Sequence, residues 1–211
     1  ASTLSTDGGE IALQGRLDTR SEAYGIELRC DSFPLNSFLP ADSLGLLDLA
    51  LQAGGSGFDP LRAQTRGNIR LQVDRAEFRG RDFGGVKLNA NLEGGQLSGR
   101  LSDRDEALRL LLLISGTLTE RKQEVRLTGN VFDFDLAELG ISPQKIGGSF
   151  ALEAGASASD AGSYTARIAL DSIEVRTRHR TDRIRPTSLS LSSDTTATRA
   201  KLASGDLSLA F

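Results

Sequence analysis

Few side chains in this 211-residue sequence are of the types that perform catalysis or bind metals. His179 is the only histidine and Cys30 the only cysteine, and they lie far apart in the chain. A catalytic or metal-binding histidine needs partners, whereas the sequence around His179, RTRHRTDRIR, offers mainly arginines. Cys30 follows Ile26 and Leu28 at alternate positions in YGIELRCD, which is typical of a small buried side chain. The sequence therefore predicts no catalytic residue, no metal site and no cofactor, and hence no enzyme.

Other short motifs resemble binding loops only superficially. The stretch AGGSG at 53–57 is not followed by the Lys and Ser/Thr that a phosphate-binding loop requires. The stretches RDFGG and GRLSDRD lack the ligand spacing of an EF-hand. All three are predicted to be turns. The arginine-rich run Arg176–Arg185 leaves two interpretations open: contact with anionic lipid headgroups, or protection of an exposed strand edge against mispairing.

The composition narrows the classes of partner. A net charge of −3 and a pI of about 5.3 argue against a nucleic-acid partner. Hydrophobic residues make up 38% and aromatic residues 5%, so large core side chains are sparse. The longest apolar run, Leu110–Ile114, is too short to cross a membrane. The chain opens on ASTLSTDGG and stops at LSLAF within an alternating stretch, so we expect a fragment of a longer protein with any export signal or anchor outside it.

Alternation of apolar and polar residues is the dominant pattern of the chain. Runs such as EIALQGRLD, GNIRLQVD, GVKLNANLE and YTARIALD are typical of strands with one apolar face. Stretches such as DGGE, EGGQ and TERKQ separate them as turns. The pattern predicts an all-β fold, an antiparallel meander that covers its apolar face either by folding over into a flattened tube or groove or by packing as two closed sheets. Helical spacing occurs only in SFPLNSFLP and DFDLAELG, which predicts two short helical turns near Pro34–Leu39 and Asp135–Leu139.

The clearest alternating runs identify the side chains expected to line this groove. An interior lined only by aliphatic side chains suits a ligand that is itself aliphatic. A strand of about nine residues spans about 30 Å, which is long enough for an acyl chain lying along or across the strands. The predicted lipid-groove lining is Leu71, Val73, Leu88, Leu101, Leu110, Leu112, Leu127, Leu152, Ile168 and Leu170.

The sequence also repeats itself. LALQAGGSG at 49–57 resembles FALEAGASA at 150–158, and Phe33 and Leu35 match Phe134 and Leu136 at a spacing of 101 residues. Repetition at a fixed spacing indicates stacked copies of one unit. We expect residues 1–211 to form a single β-groove with about two repeats, roughly 32–132 and 133–211. Residues 1–31 would then be the end of a preceding repeat.

Three features resemble the TamB family of the AsmA-like superfamily. They are the FPLNSFLP and DFDLAELG turns before a strand, the AGGSGFDP passage after one, and the run GGVKLNANLEGGQLSGRLSDRDEALRLLLLISGTL. The resemblance implies that the meander curls into a U-shaped hydrophobic groove (a β-taco), in a periplasmic protein of Gram-negative bacteria that is anchored in the inner membrane. It also implies lipid movement between the two membranes, outer-membrane protein assembly, or both. The implied partners are phospholipid acyl chains and, through other parts of the protein, an outer-membrane barrel of the Omp85 type (TamA- or BamA-like).

A second class of function remains open, namely a secreted or surface β-repeat adhesin or a structural module with no lipid ligand. Such a protein would show coils of about 20–30 residues with polar ladders. The spacing near 100 residues and the regular aliphatic positions favour the groove instead. Phospholipid that co-purifies with the protein would distinguish the two classes.

Overall fold

The computed structural model describes residues 2–6, 9–37, 44–159, 162–194, 196–205 and 207–210. Almost all of them lie in β-strands. The strands are β1 (Ser2–Thr6), β2 (Gly9–Asp18), β3 (Ala23–Pro34), β4 (Leu44–Ser56), β5 (Arg66–Phe78), β6 (Arg81–Phe83), β7 (Val86–Glu93), β8 (Gln96–Arg104), β9 (Leu108–Leu118), β10 (Gln123–Asp135), β11 (Gly147–Ala158), β12 (Tyr164–Arg176), β13 (Thr181–Ile184), β14 (Thr187–Ser193), β15 (Thr198–Ser204) and β16 (Leu207–Ala210).

These strands form one open antiparallel sheet whose order follows the chain. Only the short strands β6 and β13 leave this path, and they pair with β5 and β12, respectively. Tight turns connect the neighbours; Gly94 and Gly95, for example, have φ values of 57° and 73°, as a two-residue hairpin turn requires. The predicted fold class, an all-β antiparallel meander, is confirmed. The prediction of turns at AGGSG, RDFGG and GRLSDRD is wrong, because most of their residues continue the strands β4, β6 and β8. In the described residues no helix is long and apolar enough to cross a membrane.

The two predicted helical turns have different outcomes. The first is a 3-10 helix of three residues, Leu35–Ser37; Pro34 is the last residue of β3, and positions 38 and 39 of the predicted turn lie outside the described residues. The second is a hydrogen-bonded turn rather than a helix. Asp135 caps it by accepting the Ala137 amide through its side chain and the Leu139 amide through its carbonyl. The Gly140 amide donates to the Ala137 carbonyl at 3.1 Å, and Gly140, with a φ of 69°, ends the turn there.

The pairing register recurs along the chain. Phe33 pairs with Leu47, and the residues 101 positions further on, Phe134 and Gly148, also pair. A β-bulge immediately precedes both pairs, on β3 and on β10. Bulges re-aim strands and are specific features of a fold, so a shared register with a shared bulge is what two copies of one unit produce. The repeat boundaries expected from the sequence stay a prediction.

Bulges and longer loops gather at one end of the sheet. This bulged end comprises residues 31–34, 44–48, 74–85, 103–108, 131–147 and 171–184. There the Arg81 guanidinium donates to the carbonyls of Ala137 and Glu138 at 2.5 and 2.7 Å. The contact joins β6 to the turn after β10, although three other strands separate β5 from β10 in the sheet. Such a contact requires the sheet or its end loops to bend.

Candidate functional site: the apolar face

Directly paired residues of neighbouring strands lie on the same face of a sheet, so the pairing register fixes which side chains meet. One row of pairs runs from β2 to β12 and contains leucine at every position but one. This leucine row is Leu13, Leu28, Leu51, Leu71, Leu88, Leu101, Leu112, Gly129, Leu152 and Leu170. Six of the ten predicted lining residues belong to it, namely Leu71, Leu88, Leu101, Leu112, Leu152 and Leu170.

The other four predicted lining residues flank the leucine row on the same face, two positions along their strands. Leu127 and Ile168 lie on one side, and both pair with Ala154. Val73 and Leu110 lie on the other side, toward the bulged end. The structure therefore brings all ten side chains onto one surface, which we call the apolar face.

Two neighbouring leucines on β9 show how differently the two faces of the sheet are shielded. Leu112, on the apolar face, is 6% exposed, whereas Leu113, which points the other way, is 52% exposed. Leu113 pairs with Arg100 and Thr128, so its neighbours are polar. Leu112 pairs instead with Leu101 and Gly129, so its partners in the sheet are apolar. Its shielding comes from the surrounding aliphatic side chains and is consistent with the predicted curl.

The shielding of the apolar face is strongest at the centre of the sheet. Of the predicted lining residues, Leu112 is buried and eight are half-buried. The tenth, Ile168, is 48% exposed, because its partner Ala154 is small and its other partner, Leu189, is itself 47% exposed. Toward the opposite end of the sheet, Leu13 is 48% exposed. The side chains of the apolar face are thus shielded from water near Leu112 and are more exposed toward β2 and β12.

Two features of the leucine row could not be read from alternation. Gly129 replaces leucine because a Cβ atom there would lie 2.0 Å from the Leu111 carbonyl oxygen, which leaves a notch in the row. Beyond Leu170 the row continues into Thr187 and Ser204, whose hydroxyls form a 2.9 Å hydrogen bond. The row therefore ends in a polar pair at β14 and β15. The Gly in TGNV was the sequence signal for the first feature; the second depends on the pairing of distant strands.

Most of the buried apolar side chains lie near the bulged end of the apolar face. Cys30 and Phe33 are each 5% exposed and Val131 is 6% exposed. Burial, together with the nearby Asp48 charge, raises the pKa of the Cys30 thiol above its ordinary value. A buried thiol with a raised pKa is a poor nucleophile, so Cys30 acts as a small hydrophobic residue, as its place in the alternation predicts.

Two carboxylates organise the loops at the bulged end. Asp105 accepts hydrogen bonds from the amides of Gly84 and Ala107, at 3.0 and 2.8 Å, and so ties the loop before β7 to the loop before β9. Asp103 is buried and accepts the Asp105 amide at 2.9 Å, and its burial raises the pKa of its carboxyl group. These contacts are structural. Among the described residues no group of three or more His, Cys, Asp or Glu side chains could hold a metal ion.

The arginine-rich run does not form one continuous basic patch. It folds into the hairpin of β12 and β13, and His179 is exposed in the turn between them. Arg176 forms an ion pair with Asp133 on β10, and Arg180 pairs with Asp182 at 2.7 Å. Individual carboxylates thus partner at least these two arginines.

The apolar face is an extended surface. From Leu28 on β3 to Leu170 on β12 the leucine row crosses nine neighbouring strands. Eight spacings of about 4.8 Å give a length of about 38 Å.

No protein-family model, curated protein or solved structure matches the chain.

Proposed function

We propose that this chain is a lipid-binding segment of a TamB-like protein and that its apolar face holds and conducts acyl chains. The leucine row is the observation that carries the proposal. It is aliphatic on eight of nine neighbouring strands from β3 to β12. The predicted groove residues lie in it or directly beside it. The chain acts by binding alone, and the proposal assigns it no catalytic step.

The dimensions of the row fit this ligand. The hydrocarbon core of a bilayer is about 30 Å thick, so the acyl chains of one leaflet reach about 15 Å. A row of about 38 Å therefore accommodates two acyl chains end to end across the strands. Each CH₂ group removed from water contributes about 0.8 kcal/mol. A lipid headgroup would remain in water at the open side of the sheet.

The uniformity of the row supports conduction as well as binding. Successive leucines offer an acyl chain nearly the same contacts at each step, so the free energy along the row changes little. Gly129 is the one position where the wall lacks a side chain. Because the glycine is itself apolar, it widens the path without placing a polar group in it. The Thr187–Ser204 pair marks where this row ceases to be apolar.

The cellular setting of the proposal comes from the family resemblance. In that setting the full-length protein is anchored in the inner membrane, and this segment lies in the periplasm. Lipid moves between the inner and outer membranes, and support of outer-membrane protein assembly is part of the same proposal. The Omp85-type barrel would be engaged by other parts of the protein.

A pair of adjacent substitutions on β7 tests the proposal. Leu88→Asp places a charge in the leucine row between Leu71 and Leu101, and Asn89→Asp places the same charge on the opposite face between Arg70 and Arg100. A carboxylate in an apolar path costs several kcal/mol, so Leu88→Asp should weaken binding of a fluorescent long-chain fatty acid by at least about 10-fold. Asn89→Asp should leave binding unchanged.

Circular dichroism must first show that both variants retain the β-sheet spectrum of the unsubstituted chain. Native mass spectrometry of detergent-free protein then shows directly whether phospholipid co-purifies. Equal fatty-acid affinities for the two variants would contradict the proposal. Absence of both bound phospholipid and fatty-acid binding would favour an adhesin or a purely structural module.

A further inference from the structure

The polar face of the sheet carries a regular series of cations near its C-terminal side. Across β10, β11, β12, β14 and β15 the paired residues are Arg126, Gly155, Arg167, Ser190 and Lys201. Cationic and small residues therefore alternate from strand to strand. Two strand spacings, about 10 Å, separate each cation from the next at the backbone. The small residues between them leave room above the sheet.

This series lines a groove of about 880 Å³. The row beside it begins at Glu124 and adds hydroxyls and one more cation, namely Ser157, Thr165, Ser192 and Arg199. The Ser157 and Thr165 hydroxyls lie 2.8 Å apart. The groove thus combines guanidinium and ammonium groups with hydroxyl donors, which is the chemistry that recognises phosphate.

The cations of the groove are only partly neutralised by the protein. In the part of the chain that the structure describes, neither Arg167 nor Lys201 has an ion-pair partner within 4.0 Å. Arg126 lies 3.9 Å from Glu124, but Lys122 holds the same carboxylate at 2.7 Å. Glu153 also lines the groove. Arg199 pairs with a further carboxylate, Asp194, at 3.6 Å, so Arg167 and Lys201 are the cations of the groove without an ion-pair partner among the described residues.

We infer that this groove binds a compact soluble ligand that carries two phosphate groups about 10 Å apart, such as a sugar bisphosphate. One phosphate would lie between Arg126 and Arg167 above Gly155, and the other between Arg167 and Lys201 above Ser190. The groove is on the opposite face from the leucine row, so one lipid molecule cannot occupy both. The inference is independent of the proposed function.

Two substitutions at Gly155 that differ in charge test the inference. A Cβ atom added there would meet only the Val125 carbonyl oxygen, at 3.6 Å, which is an ordinary contact, so a side chain fits without distorting the sheet. Gly155→Glu places a carboxylate between Arg126 and Arg167, where it competes with the ligand. Gly155→Gln has nearly the same shape and no charge. We expect Gly155→Glu to bind fructose 1,6-bisphosphate at least about 10-fold more weakly than Gly155→Gln, as measured by isothermal titration calorimetry.

A second pair of variants controls for total charge. Arg167→Gln with Lys201→Gln should weaken bisphosphate binding by at least about 10-fold. Arg29→Gln with Lys87→Gln removes the same charge from the same face outside the groove, and it should have less than about a threefold effect. The unsubstituted chain should also prefer the bisphosphate to fructose 6-phosphate.

Several results would overturn the inference. They are equal affinities for the bisphosphate and the monophosphate, equal affinities of Gly155→Glu and Gly155→Gln, or equal losses in the two double variants. Binding to phosphatidic-acid vesicles without binding of the soluble bisphosphate would also overturn it, in favour of a membrane-surface contact. Loss of fatty-acid binding in Leu88→Asp does not bear on this groove, so the two proposals can fail separately.

Discussion

Truncation of two adjacent leucines should separate the two faces of the sheet energetically. Leu112 is 6% exposed and lies between Leu101 and Gly129, whereas Leu113 is 52% exposed and lies between Arg100 and Thr128. Leu112→Ala removes a buried side chain and should cost about 2–5 kcal/mol of unfolding free energy. Leu113→Ala removes a side chain that is already half in water and should cost less than about 0.5 kcal/mol.

Urea unfolding followed by far-ultraviolet circular dichroism measures the difference. With a denaturant slope of about 2–3 kcal/mol per molar urea, a loss of about 3 kcal/mol lowers the midpoint by about 1–1.5 M. The Leu113→Ala midpoint should fall by no more than about 0.25 M. Equal midpoint shifts, or a larger shift for Leu113→Ala, would refute the assignment of the shielded face. That result would also remove the structural basis of the acyl-chain proposal.

Further predictions concern glycines and a buried carboxyl group. Gly129→Ala forces a Cβ atom against the Leu111 carbonyl and should lower the free energy of unfolding by about 1–3 kcal/mol. Gly155→Ala should change it by no more than about 0.5 kcal/mol. The urea midpoints of the two variants measure the difference, and equal midpoints would contradict the strand pairing described for β9, β10 and β11. Burial raises the pKa of Asp103, so its ionisation opposes folding once the pH exceeds the unfolded value near 3.8. Asp103→Asn keeps an oxygen that can accept the Asp105 amide and should therefore stabilise the protein at pH 7 but not at pH 3.5. A less stable Asp103→Asn variant at pH 7 would contradict this reasoning.

Alternation was sufficient to predict the strands and their faces because side chains on a strand alternate strictly between the two sides of a sheet. The runs at GNIRLQVD and GVKLNANLE become β5 and β7, and Leu71 and Leu88 pair directly. Thr128 follows the lining residue Leu127 and therefore lies on the opposite face, where it pairs with Leu113 and Glu153. No long-range information was needed for these assignments.

Alternation cannot predict which residues of distant strands become partners. The notch at Gly129 and the polar end at Thr187 depend on the register set by turns and bulges across several strands. The series of cations formed by Arg126, Arg167 and Lys201 could not be predicted for the same reason, because its members are 41 and 34 residues apart in the sequence. The helical spacing at DFDLAELG failed to give a helix because Gly140 ends the turn too early.

The most direct test of the central claim is photo-crosslinking in cells that make the full-length protein. A benzophenone amino acid replaces Leu101, which is half-buried in the leucine row, or its neighbour Arg100, which is exposed on the polar face. If the apolar face conducts acyl chains, irradiation should attach lipid to the protein substituted at Leu101 and not to the one substituted at Arg100. Equal lipid attachment at both positions, or attachment at neither, would contradict the account.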